Sequence, residues 1–167
     1  MSSTFVAILM GSDSDLPVMQ STIEILKKFN IDHEVRVRSA HRTPDAAKAY
    51  VKDAEERGCK VFICAAGLAA HLAGAVAGMT TRPVIGVPVD NGPLQGHDAL
   101  LSTVMMPGGI PVATVAIGKA GAKNAGYLAA QILGVADQSI ADSVKAERVA
   151  NAEALLAKDE AMQAKLS

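Results

Sequence analysis

Short apolar runs alternate with stretches of helical periodicity along most of the chain. Phe5 to Met10 is an uninterrupted apolar run that stops at Gly11 and predicts a first strand. Beyond it, Ser14 or Asp15 can cap a helix with Pro17 in its first turn, and Ile23, Leu26 and Phe29 recur at helical spacing. His33 to Arg38 sets Val35 and Val37 among charged residues and predicts the second strand. Thr43 as N-cap, Pro44 as first helical residue and Asp45 at the positive helix end open a second helix, which runs to Arg57 and closes at Gly58. Val61 to Ala65 reads as the third strand, Ala69 to about Met79 as a small-residue helix, and Val84 to Val89 as the fourth strand. A Gly- and Pro-containing loop, Asp90 to His97, leads to a short helix over Ala99 to Met105. Val112 to Ile117 is the fifth strand, followed by a helix over Lys123 to Leu133 that Gly134 ends. Ile140, Val144, Leu155, Leu156, Met162 and Leu166 mark a long, Ala-rich, charged C-terminal helix.

Five strands alternating with helices imply a parallel sheet covered on both faces, because each crossover lays a helix on one side. The crossovers are right-handed by rule. The expectation is a three-layer α/β fold with a five-stranded parallel sheet, doubly wound in the flavodoxin-like manner. Residues 1 to 134 form the α/β body and residues 135 to 167 a helical extension of the same domain. That last helix has no further strand to cover, so its apolar positions need a partner, and a neighbouring subunit is preferred.

Composition narrows the class. At 167 residues and half apolar, the chain fits one domain with a sizeable core. A net charge of −1 gives no general attraction to nucleic acid or an anionic membrane. With no Trp, three Phe and two Tyr, a base-stacking platform is not expected. Cys59 and Cys64, five positions apart, fit neither a CxxC motif nor a zinc framework, and Cys64 in its apolar run reads as a buried free thiol. Met1 to Thr4 lacks a charged leader region, and Val61 to Met79 is too rich in Ala and Gly, with His71 inside it, to read as a membrane span. A soluble cytoplasmic protein is expected.

The polar and Gly-rich clusters all follow strands: Gly11 to Asp15, Ser39 to Arg42, Ala66 to His71, Asp90 to His97, and Gly118 to Gly121. In a parallel sheet these positions share the carboxyl edge, where ligands bind at a topological switch point. The first loop, GSDSD, offers backbone N–H groups, hydroxyls and a helix start that fit a phosphate, and Asp15 could accept bonds from ribose hydroxyls. It could equally be a capped helix start without a ligand. Arg42 adds a guanidinium capable of bidentate phosphate contacts. His41 beside it is a proton-transfer group. His71 is read as a satisfied core histidine or a site residue, and His33 and His97 as surface positions.

No GxSxG or Walker A sequence is present, and no Asp or Glu accompanies His41 and His71 at metal-ligand spacing. A phospho-receiver domain would need an acceptor Asp at the end of strand three, where Ala65, Ala66 and Gly67 stand. A flavin site would need an aromatic residue at the rim.

GSDSD, SAHRTP, AAGLAAHLAG, PVIGVPV, MPGGIPV and AIGKAGAKNAGYLAAQIL, in that order over roughly residues 5 to 134, resemble the landmarks of the N5-carboxyaminoimidazole ribonucleotide mutases of purine synthesis. The related direct carboxylases usually carry SAHKT and a Ser-Asn pair in place of Ala-His, so Arg42 and His71 favour the mutase branch. The resemblance implies that Ser12, Asp15 and Arg42 bind the ribonucleotide and that Ser14 and Ser39 hold its phosphate. It makes His41 the general acid/base and places His71 in the carboxylate pocket. Ala40, Gly67, Leu68, Ala69, Leu94 and Gly96 are expected to complete the substrate site. No cofactor and no metal are implied, and a homo-octamer is. The alternatives are direct carboxylation by CO2 and a non-catalytic nucleotide-binding module. Leu68 stands where the family usually has a second Gly, and Ala73 where it usually has Pro.

Overall fold

A computed structural model describes residues 4–166, so part of the Met1 to Thr4 segment lies outside the described residues. Five strands, β1 (Phe5–Met10), β2 (His33–Val37), β3 (Cys59–Gly67), β4 (Val84–Val89) and β5 (Ala113–Thr114), form one parallel sheet in the order β2-β1-β3-β4-β5. The helices between and after them are α1 (Leu16–Lys28), α2 (Pro44–Arg57), α3 (Leu72–Ala77), α4 (His97–Val104), α5 (Gly118–Gly134) and α6 (Gln138–Leu166). This is the expected doubly wound, flavodoxin-like sheet with a long C-terminal helix.

The period-2 alternation of β1 divides the core. Phe5, Ala7 and Leu9 join Tyr50, Val51 and Ala54 of α2 and Leu72 and Val76 of α3 on one face. Val6, Ile8 and Met10 join Met19 and Leu26 of α1 and Ala125 and Ala129 of α5 on the other. β1 and β4 are buried along their whole length, as strands covered on both faces should be. Gly126 allows α5 to approach α1, since a Cβ there would lie 2.8 Å from Ile25 Cβ. Cys59 and Cys64 are buried and unbridged, and burial pushes the Cys59 thiol up to about 11, so both are unreactive packing residues.

Several boundaries differ from the sequence reading. β3 is longer than expected, running from Cys59 to Gly67. α3 is shorter and starts at Leu72, because Leu68 adopts φ 55° and the Ala70 N–H donates to Ser102 Oγ at 2.9 Å instead of entering a helix. β5 shrinks to two residues at the sheet edge. α5 starts at Gly118 rather than Lys123, so Gly118 to Gly121 is a helical turn and not a loop. The first segment of α6 packs on its own subunit: Val144 is buried, Lys28 Nζ meets Glu147 at 2.6 Å, and Tyr127 Oη donates to the same carboxylate at 3.1 Å. Residues 148 to 166 are all exposed.

Candidate active site

The loops after β1, β2, β3 and β4 converge on a cleft of about 460 Å³ at the carboxyl edge, on either side of β1 where the strand order reverses. Its lining includes eleven of the thirteen residues singled out from the sequence: Ser12, Ser14, Asp15, Ser39, Ala40, His41, Arg42, Gly67, Leu68, Ala69 and His71. Leu94 and Gly96 are not among them. Leu94 is exposed on the following loop. Gly96, at φ 84°, instead precedes α4, where a Cβ would meet Ile117 Cγ2 at 2.5 Å.

The first loop is built around a 3-10 turn, Asp13–Asp15, capped by Ser12; Asp15 then occupies the N-cap position of α1, as one of the two candidates, although its carboxylate makes no cap bond to that helix. Ser12 Oγ accepts from the Ser14 N–H at 3.3 Å and from Ser14 Oγ at 2.9 Å. The Asp15 carboxylate folds back to accept the Ser12 N–H at 3.1 Å, which completes a capping box. Asp15 is thereby buried inside the rim. Burial, the largest influence, lifts its carboxyl above the ordinary range; the Ser12 N–H, the Asn91 amide and the Arg42 charge act in the opposite sense.

The second loop is tied down by small hydroxyls. The Ser39 N–H donates to Thr43 Oγ1 at 2.9 Å, and Ser39 Oγ accepts from the Arg42 N–H at 3.1 Å. Thr43 does precede Pro44 at the start of α2, but its hydroxyl serves this turn and not the helix N–H groups. The Arg42 guanidinium reaches across to donate Nη2–H to the Gly11 carbonyl at 2.7 Å, joining the loops after β1 and β2. Arg42 lines the cleft together with Ser12 and Ser14.

His41 and His71 come together across 30 positions of sequence. His41 Nε2 and His71 Nδ1 are 2.8 Å apart, with the rings edge to face at 85°. One nitrogen must donate and the other accept, so the pair holds a single proton on their shared line. Both side chains are exposed to the cleft, which settles His71 as a rim residue and not a core histidine. His97 is exposed as expected. His33 is half-buried, its Nδ1 lying 3.0 Å from the Ile31 carbonyl. Among the described residues, no group of three His, Cys, Asp or Glu is placed to hold a metal.

Sequence reasoning missed Asn91, Gly11, Ala66 and Leu72 in the lining. Asn91 is the one with chemistry: its amide donates to Asp15 Oδ1 at 3.2 Å. No motif marks it, because its role depends on a residue 76 positions away.

The cleft thus brings serine hydroxyls and a guanidinium, groups that hydrogen-bond anions, together with a pair of imidazoles, groups that transfer protons. Comparisons with known proteins place it in a defined group. The family model described as AIR carboxylase matches residues 5–154. The chain is 60% identical to the N5-carboxyaminoimidazole ribonucleotide mutase of Thermotoga maritima over 84% of this chain and 81% of that protein. It is 54% identical to the chloroplastic phosphoribosylaminoimidazole carboxylase of Vigna aconitifolia, over 83% of this chain but 24% of that longer protein. The crystal structure of Treponema denticola PurE superposes with a TM-score of 0.83 at 35% identity, covering 94% of this chain and 97% of that one. A match spanning nearly the whole α/β body, together with this extent of identity, establishes that the chain belongs to the AIR carboxylase family.

Proposed function

We propose that the chain converts N5-carboxyaminoimidazole ribonucleotide to 4-carboxy-5-aminoimidazole ribonucleotide in purine biosynthesis, with His41 as general acid and base. The observation that carries this reading is the His41–His71 pair, set at 2.8 Å in a cleft that Ser12, Ser14 and Arg42 also line. The curated relative from Thermotoga maritima bears the name of this activity.

The substrate carries its carboxylate as a carbamate on the exocyclic amine, and the product carries it on the imidazole carbon. His41 donates a proton to the carbamate nitrogen, the C–N bond breaks, and CO2 leaves with the amine restored. The electron-rich ring carbon attacks CO2 and forms the C–C bond, and the proton on that carbon returns to His41. The proton balance closes on one imidazole, which gives up a proton in the first step and takes one back in the second. Arg42, Ser12, Ser14 and Ser39 take the phosphate and Asp15 the ribose hydroxyls. His71 holds the His41 ring and borders the carboxyl pocket. Gly67, Leu68 and Ala69 present backbone and apolar surface there, which excludes water and retains CO2. Ala40 completes the wall beside His41.

The decisive experiment offers the carbamate substrate in the presence of labelled bicarbonate. Retention of the substrate's own carboxyl carbon supports the mutase. Full exchange with the labelled pool supports direct carboxylation, the reading favoured by the name of the plant relative. Binding without turnover would leave a nucleotide-binding module.

The reading extends to the assembly: a cytoplasmic homo-octamer with residues 135 to 167 as an extension of the catalytic domain. It is supported by the exposure of Leu155, Leu156, Met162 and Leu166 on the outer part of α6. No helix among the described residues is long and apolar enough to cross a membrane.

A further inference from the structure

We propose that Asn91 is a positioning residue for Asp15, holding the buried carboxylate oriented toward the sugar hydroxyls of the bound ribonucleotide. The proposal rests on the reading of Asp15 as a substrate-binding group. Two donors fix that carboxylate: the Ser12 N–H on Oδ2 at 3.1 Å and the Asn91 amide on Oδ1 at 3.2 Å. The first belongs to the same turn and cannot leave without unfolding it. The second comes from the loop after β4 and is therefore a tertiary contact.

Asn91 is held in place by an interlock of adjacent residues from two loops. Its amide occupies the space that a side chain at residue 67 would need: a Cβ on Gly67 would fall 1.5 Å from Asn91 Oδ1 and 2.6 Å from its Cγ. In return Leu68 lies over Gly92, where a Cβ would come within 2.6 Å of Leu68 Cδ2. Leu68 adopts φ 55° to do this, a left-handed conformation that is unfavourable for a non-glycine residue. Gly92 in turn needs its φ of 126°. A strained leucine, two glycines without room for a side chain and one amide thus meet at a single point, and that amide contacts Asp15.

The charged groups around Asp15 make the donor matter. Arg42, from the loop after β2, favours the ionised form; Asp13, in its own turn, opposes it. The His41–His71 pair lines the same cleft. Burial outweighs the favourable contacts, so the carboxyl already lies above its ordinary range. Removing a donor to the ionised form raises it further. Ribose hydroxyls bond more strongly to an ionised acceptor than to a neutral one, so affinity falls as pH drops through the Asp15 value, and loss of Asn91 moves that fall to higher pH.

The test is the dissociation constant of 4-carboxy-5-aminoimidazole ribonucleotide, measured by calorimetry over about pH 4.5 to 8. Wild type, Asn91→Ala, Asn91→Asp and Asp15→Asn are compared as full-length assembled proteins. The ligand's own ionisations are common to all four. In Asn91→Ala the acid limb should move up by about one pH unit, while kcat at saturation stays within about twofold, because the histidine pair is untouched. Asn91→Asp keeps the shape that packs over Gly67 but replaces the donor with a like charge, so its limb should move at least as far. Should both Asn91 profiles superimpose on wild type while Asp15→Asn binds weakly, the positioning role is overturned and the reading of Asp15 stands. A loss of kcat with no movement of the limb overturns it as well. Tight binding by Asp15→Asn overturns both together.

Discussion

His41 and Arg42 are neighbours in sequence with separable tasks, which makes them the sharpest probes of the site. His41→Asn keeps a hydrogen-bonding group opposite His71 but cannot cycle a proton near neutrality. Turnover should be lost while ribonucleotide affinity stays near wild type; turnover at the wild-type rate would remove His41 from the chemistry. Arg42→Ala removes a charge-assisted phosphate contact and should weaken binding by roughly 1.5–3 kcal/mol, read as a rise in the dissociation constant. Asp15 gives a prediction of opposite sign. A carboxyl raised in the folded state binds its proton more tightly there than in the unfolded chain. Ionised Asp15 therefore weakens the fold at neutral pH, and this penalty shrinks as pH falls through the folded value and vanishes below the unfolded one. Asp15→Asn can accept the Ser12 N–H, and the Asn91 amide can turn to meet its new N–H. This variant should melt above wild type at about pH 7, with the gain shrinking toward about pH 4, while losing affinity. An unchanged melting difference across that range would contradict the burial argument. At this scale the sequence revealed the residues that carry local chemistry. His41, Arg42, Ser12 and Asp15 lie in short motifs with caps and turns. Asn91 stayed hidden because its partner is distant in sequence, and a sequence row shows no contact between loops.

Helices and strands were legible in proportion to how much of each is decided locally. β1, β4 and α2 start and end where their apolar runs, Pro44 and Gly58 say they should. β5 did not, because Val112, Val115 and Ile117 keep the apolar pattern of a strand while only Ala113 and Thr114 pair with β4 at the edge. The start of α5 was hidden by its glycines. Gly121 reads as a breaker, yet it is there because the first turn of α5 presses on the connection from β5: a Cβ at that position would lie 1.5 Å from the Ala116 carbonyl oxygen. Substitution must displace backbone and not a flexible side-chain end. Gly121→Ala should therefore cost ~3 kcal/mol, well beyond the fraction of a kcal/mol that helix propensity alone would return to alanine. Chemical denaturation measures it directly. A neutral or stabilising effect would mean that α5 begins after Gly121, as the sequence pattern suggested.

The layered architecture was legible because five apolar runs separated by helices leave few topologies once crossovers are right-handed. The assembly is decided elsewhere, on surfaces that one chain leaves open. α6 divides at Glu147, which is bound by Lys28 and Tyr127; beyond it no described residue is buried. A helix of that length with low apolar periodicity has little reason to hold its outer turns straight in isolation. Deleting residues 150 to 167 removes no described residue that is buried and keeps the Lys28 and Tyr127 contacts to Glu147, losing that of Asn151, so the subunit should remain folded with a near-native melting transition. Intact protein should run by light scattering as eight chains of 17.2 kDa. If the outer part of α6 packs on a neighbour, the truncated protein should fall to smaller species while keeping its circular dichroism per residue. An intact large species after truncation would assign the assembly to other faces, first of all α4 and the segment after it, where Leu101 and Met105 are 62% and 79% exposed. A single 17.2 kDa species for the untruncated protein at micromolar concentration would remove the octamer itself.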